Sequence, residues 1–256
     1  MYQVPKNQVF ENKIEFYTLV TRFEEYNEMV ESAEKVGFDR EDIKFYYFDN
    51  KNSNTFDGYS GLNHALKICK SEYMIFCHQD ILFHYDSYYK LLNCISELES
   101  KDNNWAVAGN AGKNEKGEYF INITDPNGEQ KNGNLPAKVM SLDENFLIIN
   151  MKHNIGCSQL LTGFHLYATD LCQNAINLGL NCYVIDFHLY HKSAGNLDRS
   201  FYTAVERFIK VQEKKKKSQI IYTACTNFFI SSNCLLNWLL NIRILRKIYR
   251  VINSIK

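Results

Sequence analysis

The sequence has no Cys-x-x-Cys pair, although it contains eight cysteines. They are scattered along the chain, and Cys69, Cys77 and Cys172 stand within apolar patterns. Such spacing is typical of buried free thiols in a reducing compartment, and it argues against disulfides and a zinc site. The first residues also lack the charged-then-apolar order of a secretory signal. We therefore expect a cytoplasmic protein.

No glycine-rich phosphate loop is present either. Gly109-Asn110-Ala111-Gly112 follows an apolar run, but Gly-Lys-Ser/Thr does not come after it, so this is not a Walker loop. Val20-Thr21-Arg22-Phe23, after the first predicted strand, has no glycine, which argues against a sugar nucleotidyltransferase. The chain is 45% hydrophobic over 256 residues, which is enough for the core of one large α/β domain.

The net charge is zero, but the charges are unevenly distributed. Residues 210–256 contain ten Lys or Arg and one acid, Glu213, whereas the preceding 209 residues contain 19 basic and 28 acidic side chains. A basic tail on an acidic body favours contact with an anionic surface, and nucleic acid is disfavoured because no groove-reading motif accompanies the charge. We predict a domain over residues 1–218 and a tail over 219–256.

The central stretch of the sequence is residues 61–83. Apolar residues at helical spacing are followed by a buried five-residue run, 73–77, which ends abruptly at His78-Gln79-Asp80. Open α/β sheets bind their ligands at the carboxyl ends of strands. A carboxylate there, beside a histidine, indicates a metal or substrate contact.

The first part of the chain reads as a βαβ unit. Residues 14–20 form a predicted strand, Thr21 and Glu24 fit a helix capping box, and residues 43–48 form a second strand that ends in Asp49-Asn50. Right-handed crossovers place these strand ends at the same edge of the sheet as His78-Gln79-Asp80.

This order of elements, with Gly61-Leu62-Asn63 in the helix and His78-Gln79-Asp80 after the strand, resembles the GT-A-fold glycosyltransferases. It is most similar to family 2-like enzymes in which His-Gln-Asp replaces Asp-x-Asp, and it covers roughly residues 14–195. The resemblance implies an α/β fold with a mixed sheet flanked by helices, here with a helical C-terminal appendage. It also implies transfer of a sugar from a nucleotide-diphosphate donor to a glycan or lipid-linked acceptor, as in bacterial surface polysaccharide assembly.

The resemblance also implies a set of site residues. The metal, Mn²⁺ or Mg²⁺, would be bound by Asp80 and His191. The alternative for Asp49-Asn50 is an ordinary turn, and the role of His78 is open. The residues expected to bind the donor are Thr21, Asp49, Asn50, Asn63, His78, Gln79 and Asp80.

The catalytic base is less clear from the sequence. Many members of the family carry an acid two residues before the position that matches Asp170, but this chain has Ala168. We favour Asp170 as the base, with Asp143, Glu144 and His165 as the other candidates. The competing interpretation is a non-catalytic relative that binds a sugar nucleotide or a partner protein.

The sequence also predicts roles for two further segments. Residues 113–137 are predicted to form an excursion or hairpin over the acceptor side, and the length of this segment makes it a candidate for specificity or mobility. Residues 220–242 have no charged side chain, but their asparagines disfavour a membrane span. From Leu235 onward, a stripe of basic residues predicts an interfacial helix at an anionic membrane surface, and the alternative is docking on its own domain or on the second subunit of a homodimer. The stripe consists of Arg243, Arg246, Lys247 and Arg250.

Overall fold

The structure is a computed structural model that describes residues 9–193, 195, 198–214, 218–222, 226–242, 244–245 and 248. A π-helical turn, Glu34–Phe38, continues the first helix. The helices are α1 (Phe23–Ala33), α2 (Gly58–Ile68), α3 (Tyr88–Lys101), α4 (Tyr167–Asn177), α5 (Arg199–Lys214) and α6 (Cys234–Asn241). The strands are β1 (Asn12–Val20), β2 (Ile43–Asp49), β3 (Ser71–Cys77), β4 (Ile81–Leu82), β5 (Trp105–Gly109), β6 (Ala111–Lys113), β7 (Tyr119–Asp125), β8 (Gly128–Asn132), β9 (Ala137–Val139), β10 (Ser141–Leu142), β11 (Phe146–Asn150), β12 (Asn181–Val184), β13 (Leu189–His191), β14 (Ser218–Tyr222) and β15 (Asn227–Ser231).

The main sheet has seven strands in the order β2-β1-β3-β11-β5-β12-β9. β1 lies parallel to both β2 and β3, as the βαβ pattern predicts. β11 runs antiparallel to both of its neighbours, so the sheet is mixed. The carboxyl ends of β1 and β3 therefore lie at one edge, where Thr21 and His78 follow their strands.

The second sheet runs β10-β6-β7-β13-β4, with β8 paired to β7 as a hairpin. β4 and β13 are antiparallel, and their register aligns His191 with Ile81. Because Ile81 follows Asp80 directly, this pairing of two very short strands brings His191 to the carboxyl end of β3.

The core contains strands that are buried almost throughout. β3 is apolar at five consecutive buried positions, 73–77, as expected for a central strand covered on both faces. Phenylalanine rings pack beside it, with Phe83 edge-on to Phe16 and Phe146. The cysteines at the seven described positions are free thiols, as predicted, and five of them are buried.

The chain divides into two compact units, Met1–Val205 and Glu206–Lys256. In the second unit β14 and β15 form an antiparallel hairpin before α6, an element that the sequence did not predict. The predicted basic stripe (Arg243, Arg246, Lys247 and Arg250) lies outside the described residues, and the division at residue 218 stays a prediction. Within the described ranges, no helix combines the length and apolar character needed to cross a membrane.

Candidate functional site

Three side chains with metal-binding atoms meet where β3 and β13 end. One ligand atom from each of His78, Asp80 and His191 lies within 4.8 Å of the other two. Nε2 of His191 is 3.3 Å from Oδ1 of Asp80, and Nδ1 of His78 is 3.9 Å from the same oxygen. The amide of Lys192 donates to the Asp80 carbonyl at 3.0 Å, which extends the β4–β13 pairing past the site. We call these three residues the His-Asp-His cluster.

Burial and mutual contact set the charges in this cluster. Asp80 and His191 are each 8% exposed. Burial alone would raise the pKa of the Asp80 carboxyl, but the hydrogen bond from His191 and the charges of both histidines lower it well below its usual range. Burial, followed by the nearby His191, lowers the pKa of His78. An ionised carboxylate and a neutral imidazole are the forms that bind a metal ion.

Gln79, between the two cluster residues, binds the loop after β1. Its Oε1 accepts hydrogen bonds from the amides of Thr21 and Arg22 at 2.9 and 3.0 Å, and its Nε2 donates to Oγ1 of Thr21 at 3.1 Å. These amides precede α1, whose N-cap Arg22 makes no side-chain cap bond. The predicted capping box of Thr21 and Glu24 is therefore wrong, because the N-cap is Arg22 and the Thr21 hydroxyl accepts from Gln79 instead.

Two cavities meet at His78 and Phe164. The smaller, of about 260 Å³, is lined by Thr21, Arg22, Gln79 and Asp80 among others. The larger, of about 490 Å³, includes His191, Asp143 and Glu144 in its lining, together with part of the β7–β8 hairpin. The His-Asp-His cluster thus lies between two spaces, as a site that joins two substrates requires.

Tyr167, the first residue of α4, connects the cluster to the loop that follows β10. Its hydroxyl lies 3.3 Å from Nε2 of His78 and donates to the Glu144 carbonyl at 3.1 Å. Its ring packs on Gly58, where an added Cβ would lie 2.2 Å from the ring, so only glycine fits there. The preceding Leu166 has φ 67, a left-handed backbone that is rare outside glycine.

Asp143 and Glu144 both line the larger cavity. Burial, and then the charge of Asp143, raises the pKa of the Glu144 carboxyl to about 8, and hydrogen bonding from the backbone of Leu166 and Ala168 partly opposes the rise. Oδ1 of Asp143 accepts hydrogen bonds from the amide and the side chain of Asn145 at 2.9 and 2.6 Å. Burial and the adjacent Asp143 carboxyl thus raise the affinity of Glu144 for a proton.

Asp170 lies in the first turn of α4 and is fully buried. Its oxygens accept hydrogen bonds from the amide and hydroxyl of Ser158 at 2.6 and 2.8 Å, and Nδ2 of Asn174 donates to it at 3.2 Å. It lines neither cavity. Its predicted role as base stays a prediction, and these contacts tie the 156–158 loop to α4.

The other predicted donor contacts make local hydrogen bonds. Asp49 accepts from the amide of Lys51 in a turn, and Asn50 bonds both backbone groups of Phe56. Asn63 bonds both backbone groups of Cys157. None of the three lines either cavity, whereas Thr21, His78, Gln79 and Asp80 all line the smaller one.

Some lining residues were not identified from the sequence. Tyr167, Phe164 and Arg22 are among them, and no motif in the sequence points to these side chains. The hairpin residues Tyr119, Asp125 and Gln130 fall within the segment expected to set specificity, but no pattern in the sequence singled them out. The hairpin turn and the β4–β13 pairing bring these residues to the site.

No model of a known protein family matches the sequence. A protein of Fuscovulum blasticum called "ATP synthase subunits region ORF 6" is 36% identical over 192 residues, which are 72% of this chain and 77% of that protein.

Solved structures share the fold. The mannosyltransferase PcManGT from Pyrobaculum calidifontis, in complex with GDP-Man and Mn²⁺, has a TM-score of 0.50 at 10% identity, over 84% of this chain and 68% of that chain. S. aureus TarS 1-349 in complex with UDP-GlcNAc has a TM-score of 0.50 at 12% identity, over 80% and 68%. These neighbours are GT-A glycosyltransferases, so the predicted GT-A-like fold is confirmed. The assignment to the His-Gln-Asp subgroup stays a prediction.

Proposed function

This chain belongs to the same family as the Fuscovulum blasticum protein called "ATP synthase subunits region ORF 6", and because that name states no reaction, we propose the function of this chain from its own site. The protein is a metal-dependent glycosyltransferase that moves a sugar from a nucleotide-diphosphate donor to an acceptor hydroxyl of a glycan or lipid-linked glycan. The observation that supports this most is the His-Asp-His cluster at the junction of two cavities.

The cluster fits a divalent cation. One carboxylate and two imidazoles offer atoms within 4.8 Å of one another. Carboxylate oxygen suits Mg²⁺ and Mn²⁺ alike, while imidazole favours transition metals, so Mn²⁺ is the better match of the two. PcManGT was solved with this ion. When bound, the ion supplies positive charge against the departing diphosphate.

The smaller cavity takes the nucleotide. It begins at the loop after β1, where Gln79 fixes Thr21 and Arg22. The Arg22 guanidinium pairs with Glu25 at 2.7 Å and is exposed, so it is free to turn towards a phosphate. Asn50 and Asn63 contribute to donor binding indirectly, because their side chains hydrogen-bond the backbone of the loops at Phe56 and Cys157. Asp49 stabilises a turn.

Glu144 is the base in this proposal. It lines the larger cavity and lies against the backbone of Ala168, the position where the resembling enzymes carry an acid. A carboxyl group with a pKa near 8 is well matched to accept a proton near neutral pH. Asp143 and His165 line the same cavity and rank next, whereas Asp170 is occupied by Ser158 and Asn174.

The test is hydrolysis or transfer with a panel of UDP- and GDP-sugars, with Mn²⁺ and with a chelator. At least one donor should be cleaved, and the chelator should abolish cleavage. Nucleotide binding without cleavage of any donor, with or without glycan acceptors, would instead support the non-catalytic alternative that Ala168 suggests.

The basic tail places the enzyme at an anionic membrane surface. Described tail residues such as Leu235, Trp238 and Ile244 are exposed and apolar, and they lie among the basic residues of the sequence. Each basic side chain near an anionic leaflet contributes about 1 kcal/mol, an effect that salt screens. Co-sedimentation with anionic vesicles should fall as salt rises and be lost in a chain that ends at Ser218. Equal sedimentation of both chains would leave the tail as a packing or dimerisation element.

A further inference from the structure

The larger cavity is partly walled by the β7–β8 hairpin, which contributes Asp125, Asn127 and Gln130. Building on the proposed function, we infer that this cavity takes an uncharged sugar as the acceptor, and that Asp125 disfavours acceptors with an anionic group. The inference concerns the acceptor alone, since the donor nucleotide occupies the other cavity.

The charges of the lining carry the first part of the argument. Three carboxyl side chains face this cavity, those of Asp125, Asp143 and Glu144. No lysine or arginine is found among the described residues of its lining, and the remaining titratable groups of the wall are Tyr119 and the histidines His78, His165 and His191. Like charges across an interface repel, so Asp125 and Asp143 disfavour an acceptor phosphate or carboxylate in this space.

One residue of the lining also has an acceptor atom that lacks a donor. Asn145 is 2% exposed and lines the cavity, and its Oδ1 has no hydrogen-bond partner in the described structure. Its Nδ2 is engaged with Asp143, which fixes the amide with this oxygen unused. A buried acceptor without a partner costs free energy, and a sugar hydroxyl that reaches Asn145 would offset this cost by donating to it.

The hairpin presents its polar groups in a fixed arrangement. Asp125 accepts hydrogen bonds from the amide of Asn127 at 2.8 Å and from Nε2 of Gln130 at 2.9 Å. Apolar and aromatic groups complete the wall, including Ile121, Ile123, Tyr119, Phe164 and Phe201. The lining therefore combines oriented polar groups with apolar and aromatic surface, which together can fix the orientation of a small polar molecule.

The experiment has two stages. Calorimetry with UDP or GDP and Mn²⁺ first measures donor-side binding, which tests the proposed function alone. Transfer is then measured as nucleotide release with methyl hexosides and the matching methyl hexuronides, which differ by one carboxylate. We expect kcat/KM to be at least about tenfold higher for the neutral member. The ratio should narrow by about threefold or more in Asp125→Asn.

Glu129→Gln is the matched control, because Glu129 lies on the same hairpin, is exposed and does not line the cavity. It should leave the ratio unchanged, and nucleotide binding should be equal in all three proteins. Equal transfer to both acceptor series, or no transfer to the neutral series with nucleotide binding intact, overturns the inference. If Asp125→Asn also lowers nucleotide binding, the role given to Asp125 is rejected. The claim of a neutral acceptor then depends only on the ratio of kcat/KM for neutral and anionic acceptors in the wild type. Absent nucleotide binding in the wild type overturns the proposed function, and the inference with it.

Discussion

Asp80 and Asp170 are both buried aspartates next to helix or strand ends, but their partners differ in chemistry. Asp80 lies beside two imidazoles at the junction of two cavities. Asp170 is enclosed by an amide, a hydroxyl and a carboxamide, and it reaches neither cavity. Burial of a carboxylate therefore does not by itself mark a catalytic group. The titratable character of its partners and its access to a cavity distinguish the two.

The largest effect is expected for Asp80→Asn. This change removes the carboxylate from the His-Asp-His cluster, and a bound metal ion contributes several kcal/mol to charge stabilisation. Turnover of the donor should fall by about 10³-fold or more. Asp42→Asn is the control, because the Asp42 side chain is 44% exposed, lies outside both cavities and, among the described residues, pairs only with Arg40, whose side chain is 43% exposed. A loss of less than tenfold in Asp80→Asn would remove the basis for separating Asp80 from Asp170.

The next effect distinguishes the two candidate bases. Glu144→Gln should lower turnover by about 10²-fold, the usual contribution of a general base, and should leave nucleotide binding unchanged. Asp170→Asn should stay within a few-fold of wild type in the same assay. The reverse order would return the role to Asp170, as the sequence predicted.

The pH dependence sharpens this assignment. Because burial and Asp143 raise the pKa of Glu144 to about 8, the base is mostly protonated at lower pH, and kcat/KM should rise about tenfold per unit from about pH 6 before levelling near pH 8. The effect on stability has the opposite sign. A folded pKa above the unfolded one contributes stability at low pH that is lost as pH rises from about 4.5 through 8. Glu144→Gln should flatten both profiles, and an unchanged stability profile would place the titrating group elsewhere.

The smallest effect on turnover is expected for Asp170→Asn, although this change should lower the stability of the fold measurably. In Asp170→Asn one of the two oxygens that accept from the amide and hydroxyl of Ser158 becomes an NH2 donor, which should lower the free energy of unfolding by about 1–3 kcal/mol. Denaturant unfolding monitored by fluorescence measures this, with Asp42→Asn again as control. An unfolding free energy equal to wild type would contradict the structural role given to Asp170.

Local patterns predicted the elements that build the sheet. The apolar run of β3 and the alternation of helix and strand around β1 and β2 are enough to place His78-Gln79-Asp80 at a strand end. These signals are strong because long, regular elements must match the period of the face that they bury.

The contacts that complete the site have no such signal. β4 and β13 have two and three residues, which is too short for a periodic pattern, yet their register aligns His191 with Ile81. The bond from Gln79 to the amides before α1 joins distant parts of the chain, so the local capping box was predicted there in error. The burial of Asp170 likewise depends on the 156–158 loop, which no helical pattern describes.

The central claim is that the His-Asp-His cluster binds the metal that holds a nucleotide diphosphate. Calorimetric titration of UDP and GDP into the protein, with Mn²⁺ and with a chelator, tests it most directly. We predict that at least one nucleotide binds only with Mn²⁺, and that this binding is lost in Asp80→Asn and kept in Asp170→Asn and Asp42→Asn. Binding that is equal with chelator, or unchanged in Asp80→Asn, would contradict the account.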